Sequence, residues 1–181
     1  LDLLRERFPR VEFESCASGG GRIDFEVLTR THRFWASDNN DALERCTIQR
    51  GMSYFFPPEV MGAHIGHHRC HATFRQHSIA FRGLTALFGH MGLELDPVTA
   101  GEEESAGYRR YASLYKEWRQ LIHTGTLWRV DMPDAATQVQ GVVSPDQSQA
   151  LFLVSQLAMP DHTLPGALRF PGLAPQARYR L

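Results

Sequence analysis

Between Glu14 and Ala42 the chain places a cysteine (Cys16), three consecutive glycines (Gly19, Gly20 and Gly21) and, close together near the end, Asp38 and Asp41 in a stretch too short to be a domain. Each group points to a different chemistry. A glycine triplet can cradle a phosphate, but no Gly-Lys-Ser/Thr follows and the spacing does not fit the dinucleotide fingerprint, so a tight turn is the better reading. Asp38-Asn39-Asn40-Asp41 begins like a calcium loop, yet Ala42 stands where the next ligand belongs and no glycine follows it, which excludes an EF-hand site. Cys16 as a nucleophile needs a histidine beside it, and none adjoins it in sequence. Asp38 has Trp35 three residues before it. In a sugar site the apolar face of a pyranose packs on an aromatic ring while a carboxyl group exchanges a proton with the glycosidic oxygen. An aspartate here also fits the cap of the next helix, although Asn40 and Asp41 are better placed for that.

His64, His67, His68, Cys70 and His71 form a second cluster, with imidazole and thiolate spaced as zinc ligands can be. No further Cys/His pair lies at zinc-finger distance, so the competing reading is a polar loop that rims a pocket. The expectation is no resident metal and no cofactor. Lys116 is the single lysine and lies in a helical segment, which sets Schiff-base chemistry aside.

The elements that must position these groups alternate. An opening helix ends at Pro9, Val11 to Cys16 alternates as a strand does, and the glycine turn follows. A short helical piece around Asp24 to Leu28 leads to a strand at Arg33 to Ser37. A helix from Asp41 to Arg50 follows, with Asp41 and Glu44 at capping-box spacing and Gly51 as its stop. Val60 to Ile65 reads as a strand, Ser78 to Gly89 as a helix, Met91 to Leu95 as a strand, and Glu102 to His123 as a long helix followed by Gly125. Tyr108, Tyr111, Tyr115, Trp118 and Ile122 step by three and four along that helix as a packing stripe. From Leu127 the texture changes to short extended runs at Leu127 to Val130, Gln138 to Val143, Ala150 to Leu157 and Ala167 to Phe170. The pattern predicts a parallel α/β layer in residues 1–125 and an antiparallel β domain in residues 126–181. In such layers ligands lie at the carboxyl ends of the strands, where Cys16 and Asp38 fall.

Composition narrows the function classes. At 181 residues and 43% hydrophobic, with 19 basic against 20 acidic residues, the chain has one ordinary core and no basic excess for nucleic acid or an anionic membrane. The apolar run from Gly83 to Leu95 is broken by His90 and Glu94 and is too short to cross a bilayer. Cys16, Cys46 and Cys70 form an odd set without a disulfide framework, which predicts reduced thiols and a cytoplasmic location. The chain opens on Leu1 rather than Met, as a fragment would.

Four motifs in order, Cys16-Ala-Ser-Gly-Gly-Gly-Arg22, Trp35-Ala-Ser-Asp-Asn-Asn-Asp41, Met61-Gly-Ala-His64 and Gly92-Leu-Glu-Leu-Asp96, closely resemble the α-galactosidases (melibiases) of glycoside hydrolase family 36. The resemblance implies an amino-terminal β-sandwich, a central (β/α)8 barrel and a carboxy-terminal β domain, releasing terminal galactose from α-galactosides such as melibiose and raffinose with retention. On that basis the fold class is α/β, the carboxy-terminal half of a TIM barrel followed by part of an antiparallel β-sandwich domain. Asp38 takes the place of the family's general acid/base, Cys16 and Gly19 match positions lining the galactose pocket, and Trp35 adds to its wall. The family nucleophile belongs to a Lys-Trp-Asp motif on an earlier strand, which this sequence lacks. The resemblance further implies an oligosaccharide substrate as partner and a full-length homo-oligomer. Raffinose-synthase-like transglycosylation, α-N-acetylgalactosaminidase activity and a non-catalytic sugar-binding or assembly role remain open beside hydrolysis.

Overall fold

The computed structural model describes residues 1–164 and 166–181. In chain order the elements are α1 (Asp2–Arg7), β1 (Glu14–Ser15), α2 (Phe25–Leu28), β2 (Arg33–Trp35), α3 (Ala42–Met52), β3 (Met61–Gly66), α4 (Ile79–Leu87), β4 (His90–Glu94), α5 (Glu102–Thr124), β5 (Thr126–Val130), β6 (Thr137–Val143) and β7 (Ala150–Gln156). The first four strands form one parallel sheet in the order β1-β2-β3-β4, and the last three form an antiparallel sheet in the order β5-β6-β7. The chain divides into two compact units, Leu1–Tyr115 and Lys116–Leu181, with the division inside α5. No helix among the described residues is long and apolar enough to cross a membrane.

In the first unit β3 has five of its six residues buried. A parallel strand covered on both faces reads as a nearly continuous apolar run, and Met61-Gly-Ala-His-Ile-Gly66 is one. Strand β1 is shorter than the predicted run from Val11 to Cys16, because its ladder to β2 holds only the pairs Glu14↔Arg33 and Ser15↔Phe34. The approach to it is still tied down: His32 N donates to Phe13 O and Phe13 N donates to His32 Nδ1. Among the described residues β1 is an edge strand, so alternation before Phe13 has no second neighbour to bond.

Helix α3 begins where the capping signal put it. The Asp41 side chain accepts from Leu43 N and Glu44 N. Glu44 does not reach back to complete the capping box, since its carboxylate pairs with Arg75 instead. Gly51 does not stop the helix, which continues to Met52. A Cβ at Gly51 would meet nothing within 4 Å, so the glycine weakens an exposed turn without breaking it.

Helices α4 and α5 close over the sheet through Ala63, Ile65, Ala86, Tyr108 and Tyr111. At Gly83 the missing side chain is replaced by the Tyr111 ring, 2.4 Å from where a Cβ would stand. Arg82 fastens the start of α5 to the end of β3: it donates to Gly66 O at 2.6 Å and to both Glu104 oxygens at 2.6 and 2.7 Å. Burial pushes the Glu104 carboxyl up, but Arg82 and the Tyr108 hydroxyl outweigh it and hold the group below its usual range.

In the second unit β5, β6 and β7 pair antiparallel. Residues 167–170, expected to be a fourth strand, carry no ladder. Phe170 reaches the sheet by its ring alone, 4.6 Å from Phe152 centroid to centroid.

Candidate active site

The four parallel strands all point one way, so their carboxyl ends form a single edge. Cys16 follows β1, Asp38 lies three residues beyond β2, His64 sits in the second half of β3, and Glu94 ends β4. This is the edge at which parallel α/β layers bind ligands.

The glycine triplet is what lets the first two loops meet there. Ser18 and Gly19 take left-handed backbone, with φ of 52° and 68°, and Gly20 N donates to Ala36 O at 3.0 Å. A Cβ at Gly19 would stand 2.6 Å from Ser37 Cα and 2.9 Å from Asp38 N, and one at Gly20 would stand 2.6 Å from Ala36 O. The loop lies flat on the backbone that delivers Asp38, an approach open only to glycine. Cys16, a free thiol, and Asp38 are both exposed on this edge.

Asp41 is held quite differently from Asp38. It is fully buried, caps α3, accepts from the Thr73 hydroxyl and lies 3.2 Å from His77 Nε2. Burial pushes its carboxyl up, but the Thr73 hydroxyl, the Glu44 and Leu43 N–H groups and His77 together hold it below the ordinary range. Of the two aspartates, the exposed one is free to meet a substrate and the buried one anchors the helix.

Trp35 does not offer the open ring expected of a sugar wall. It is 7% exposed, with the Arg45 guanidinium over the indole at 4.2 Å from the centroid and the His64 imidazole stacked against it at 4.2 Å. In this chain both Arg45 and His64 cover the indole, so the open wall expected of Trp35 is not seen here. His64 Nδ1 lies 3.2 Å from Glu94 Oε2, and Asn40 Nδ2 donates to the same oxygen at 3.2 Å. The hydrogen bond from His64 lowers the Glu94 carboxyl; partial burial opposes it, and the charges of His64, His71 and Arg45 assist it. Glu94, Asn40 and Arg45 were not expected at the site from the sequence, where Asn40 reads only as a candidate helix cap and Glu94 only as part of a motif. Glu94 had one usable signal, a carboxylate at a strand's carboxyl end, whereas Arg45 had none.

The histidine and cysteine cluster disperses in the fold. His64 faces Glu94, His67 and His68 lean on each other at 4.2 Å between ring centroids, and Cys70 lies buried beside Asn39. Among the described residues no group of three or more His, Cys, Asp or Glu side chains is arranged to hold a metal ion. Purified protein is expected to carry far less than one zinc per chain by elemental analysis, and a stoichiometric content would restore the metal reading.

Comparison with known proteins gives the chain its family. The model of the melibiase family matches residues 1–125. The α-galactosidase of Escherichia coli is 89% identical over 181 residues, covering 100% of this chain and 26% of that protein. The bifunctional α-galactosidase/sucrose kinase AgaSK of Mediterraneibacter gnavus is 37% identical over 182 residues, covering 99% of this chain and 19% of that protein. Among solved structures, the galactosidase domain of AgaSK superposes with a TM-score of 0.91 at 36% identity, covering 96% of this chain and 24% of that one. A GH36 α-galactosidase AgaA variant from Geobacillus stearothermophilus, in complex with raffinose, gives 0.89 at 35% identity over the same shares. The chain spans about a quarter of the length of the E. coli relative. Since the match takes in the whole parallel sheet together with the loops that carry Cys16 and Asp38, the chain belongs to the melibiase family.

Proposed function

We propose that this chain is the carboxy-terminal half of the (β/α)8 barrel of a retaining α-galactosidase, residues 1–125, followed by the start of an antiparallel β domain, residues 126–181. The whole enzyme releases terminal α-linked galactose from melibiose- and raffinose-type oligosaccharides. Supporting the substrate class, the AgaA variants were solved in complex with raffinose and stachyose. The observation that carries the reading is the exposed Asp38 carboxylate on a strand-end loop whose backbone the glycine turn pins from one side.

In the first step Asp38 gives its proton to the glycosidic oxygen as that oxygen leaves, while a carboxylate from outside these 181 residues attacks the anomeric carbon. In the second step Asp38 takes a proton from water, and the water displaces the carboxylate from the same carbon. Two inversions at one centre give net retention. Cys16 and the Gly19 backbone border the galactose on the side of β1.

The test compares two proteins. The complete enzyme is expected to hydrolyse p-nitrophenyl α-galactoside and to release α-galactose first, as followed by NMR. The 181-residue chain alone is expected to show no turnover, because double displacement needs two carboxyl groups about 5 Å apart and this chain supplies one of them. Turnover by the pure 181-residue chain, or release of the β-anomer by the complete enzyme, would overturn the assignment.

A further inference from the structure

We propose that Arg45 is a positioning residue for Asp38, setting the peptide from which the carboxylate projects. The inference rests on the reading of Asp38 as the acid/base. Arg45 springs from the first turn of α3, yet its side chain runs inward and is 2% exposed. Its Nη1 donates to Ser37 O at 3.1 Å and its Nη2 donates to Gly62 O at 2.7 Å, while the guanidinium plane rests on Trp35. The Ser37 carbonyl belongs to the peptide that joins Ser37 to Asp38. A peptide is planar, so holding its oxygen restricts how far the whole unit can turn and with it the direction in which Asp38 leaves the strand.

The Gly19 backbone also packs closely on this peptide. A Cβ added at Gly19 would stand 3.0 Å from Ser37 C and 2.9 Å from Asp38 N, so a glycine backbone alone can lie this near. One planar unit thus meets both a buried guanidinium and a glycine backbone, and the bond from Arg45 to Gly62 O ties the assembly to β3.

Stability does not account for this arginine. Arg45 Nε is buried with no hydrogen-bond partner, and the two acceptors of its other nitrogens are neutral carbonyls. A buried cation without a carboxylate in contact is a poor stabiliser, and apolar residues of similar volume often replace buried charged groups at no cost. Burial lowers the Arg45 pKa to about 10, with the charge of Glu94 opposing the shift, so the group stays protonated near neutrality. Its planar fork spans two carbonyls and stacks on an indole at the same time, which an ammonium group cannot do.

The test uses the complete enzyme with Arg45→Met and Arg45→Lys, each alone and combined with Asp38→Asn. Melibiose and p-nitrophenyl α-galactoside are the substrates, and thermal denaturation is followed in parallel. For either single variant kcat on melibiose is expected to fall on the order of 10- to 100-fold, the scale of a small misplacement of a reacting group. The loss on the aryl substrate should be several-fold smaller, with KM little changed. In the Asp38→Asn background, changing Arg45 should add no further loss on melibiose, because an effect exerted through Asp38 disappears with its carboxyl group. If Arg45→Met fails to fold, Arg45→Lys carries the same comparison. Equal losses on both substrates that multiply with the loss from Asp38→Asn would overturn the proposal and make Arg45 a packing residue. An Asp38→Asn enzyme that hydrolyses melibiose normally would instead overturn the acid/base reading itself.

Discussion

Asp38→Asn in the complete enzyme is expected to slow melibiose hydrolysis by about 100- to 10,000-fold, the range that a positioned general acid contributes. The sugar leaving group of melibiose departs as a poor alkoxide unless it is protonated, whereas a nitrophenolate departs with little help. The aryl galactoside should therefore still form the galactosyl-enzyme at a useful rate, and its loss of turnover should arise in the second step, which needs a base to activate water. A burst of nitrophenolate followed by slow turnover is the expected kinetic signature. Cys16→Ala should behave differently, raising KM and lowering kcat without separating the two substrates, because a group beside the galactose contacts both of them alike. Equal loss on both substrates for Asp38→Asn, with no burst, would make Asp38 a binding residue. Asp41 could not then take its place unchanged, since its carboxylate is fully buried under Thr73 and His77.

Gly19→Ala is expected to cost on the order of 100-fold in kcat/KM, although it adds a single methyl group. Two effects act together there. The backbone sits at φ 68°, where an L side chain is strained, and the new carbon would stand 2.6 Å from Ser37 Cα, which is main chain and cannot swing aside. Relief requires the glycine turn or the Ser37–Asp38 peptide to shift, and either movement takes the carboxylate out of reach of the glycosidic oxygen. Gly51→Ala is the matched control. It lies inside α3 with nothing within 4 Å of its Cβ position, so alanine there should leave activity unchanged and stabilise the helix by up to about 1 kcal/mol. Wild-type activity in Gly19→Ala, checked by initial rates and by denaturation, would show that the close approach is not needed.

Much of this architecture is legible in the chain itself because its signals are local. The buried run of β3, the cap at Asp41 and the acidic start of α5 each state an element within a few residues, and the switch from mixed alternation to short extended runs marks the change from parallel to antiparallel sheet. Errors cluster where a neighbour outside the window decides. Residues 167–170 have strand composition, but Phe170 contributes a ring to Phe152 and no ladder. Gly51 reads as a stop, yet a helix that is already capped and packed runs through it. Trp35 and Asp38 invite the picture of an aromatic wall beside a carboxylate, and only the fold brings Arg45 and His64 onto the indole. Glu94 meets His64 and Asn40 across 30 and 54 residues of sequence. No periodicity encodes such meetings, so the supporting shell of the site is visible in three dimensions alone.

The central claim is that Asp38 works on the face of the sugar from which the leaving group departs and water arrives. Asp38→Asn in the complete enzyme, given p-nitrophenyl α-galactoside and sodium azide, tests it most directly. Azide is already an anion and needs no base, so it should attack the stalled galactosyl-enzyme from that face, restore turnover and yield α-galactosyl azide, identifiable by the NMR coupling of its anomeric proton. Recovery of the β-galactosyl azide would place Asp38 on the nucleophile's side, and no azide adduct at all would remove it from proton transfer.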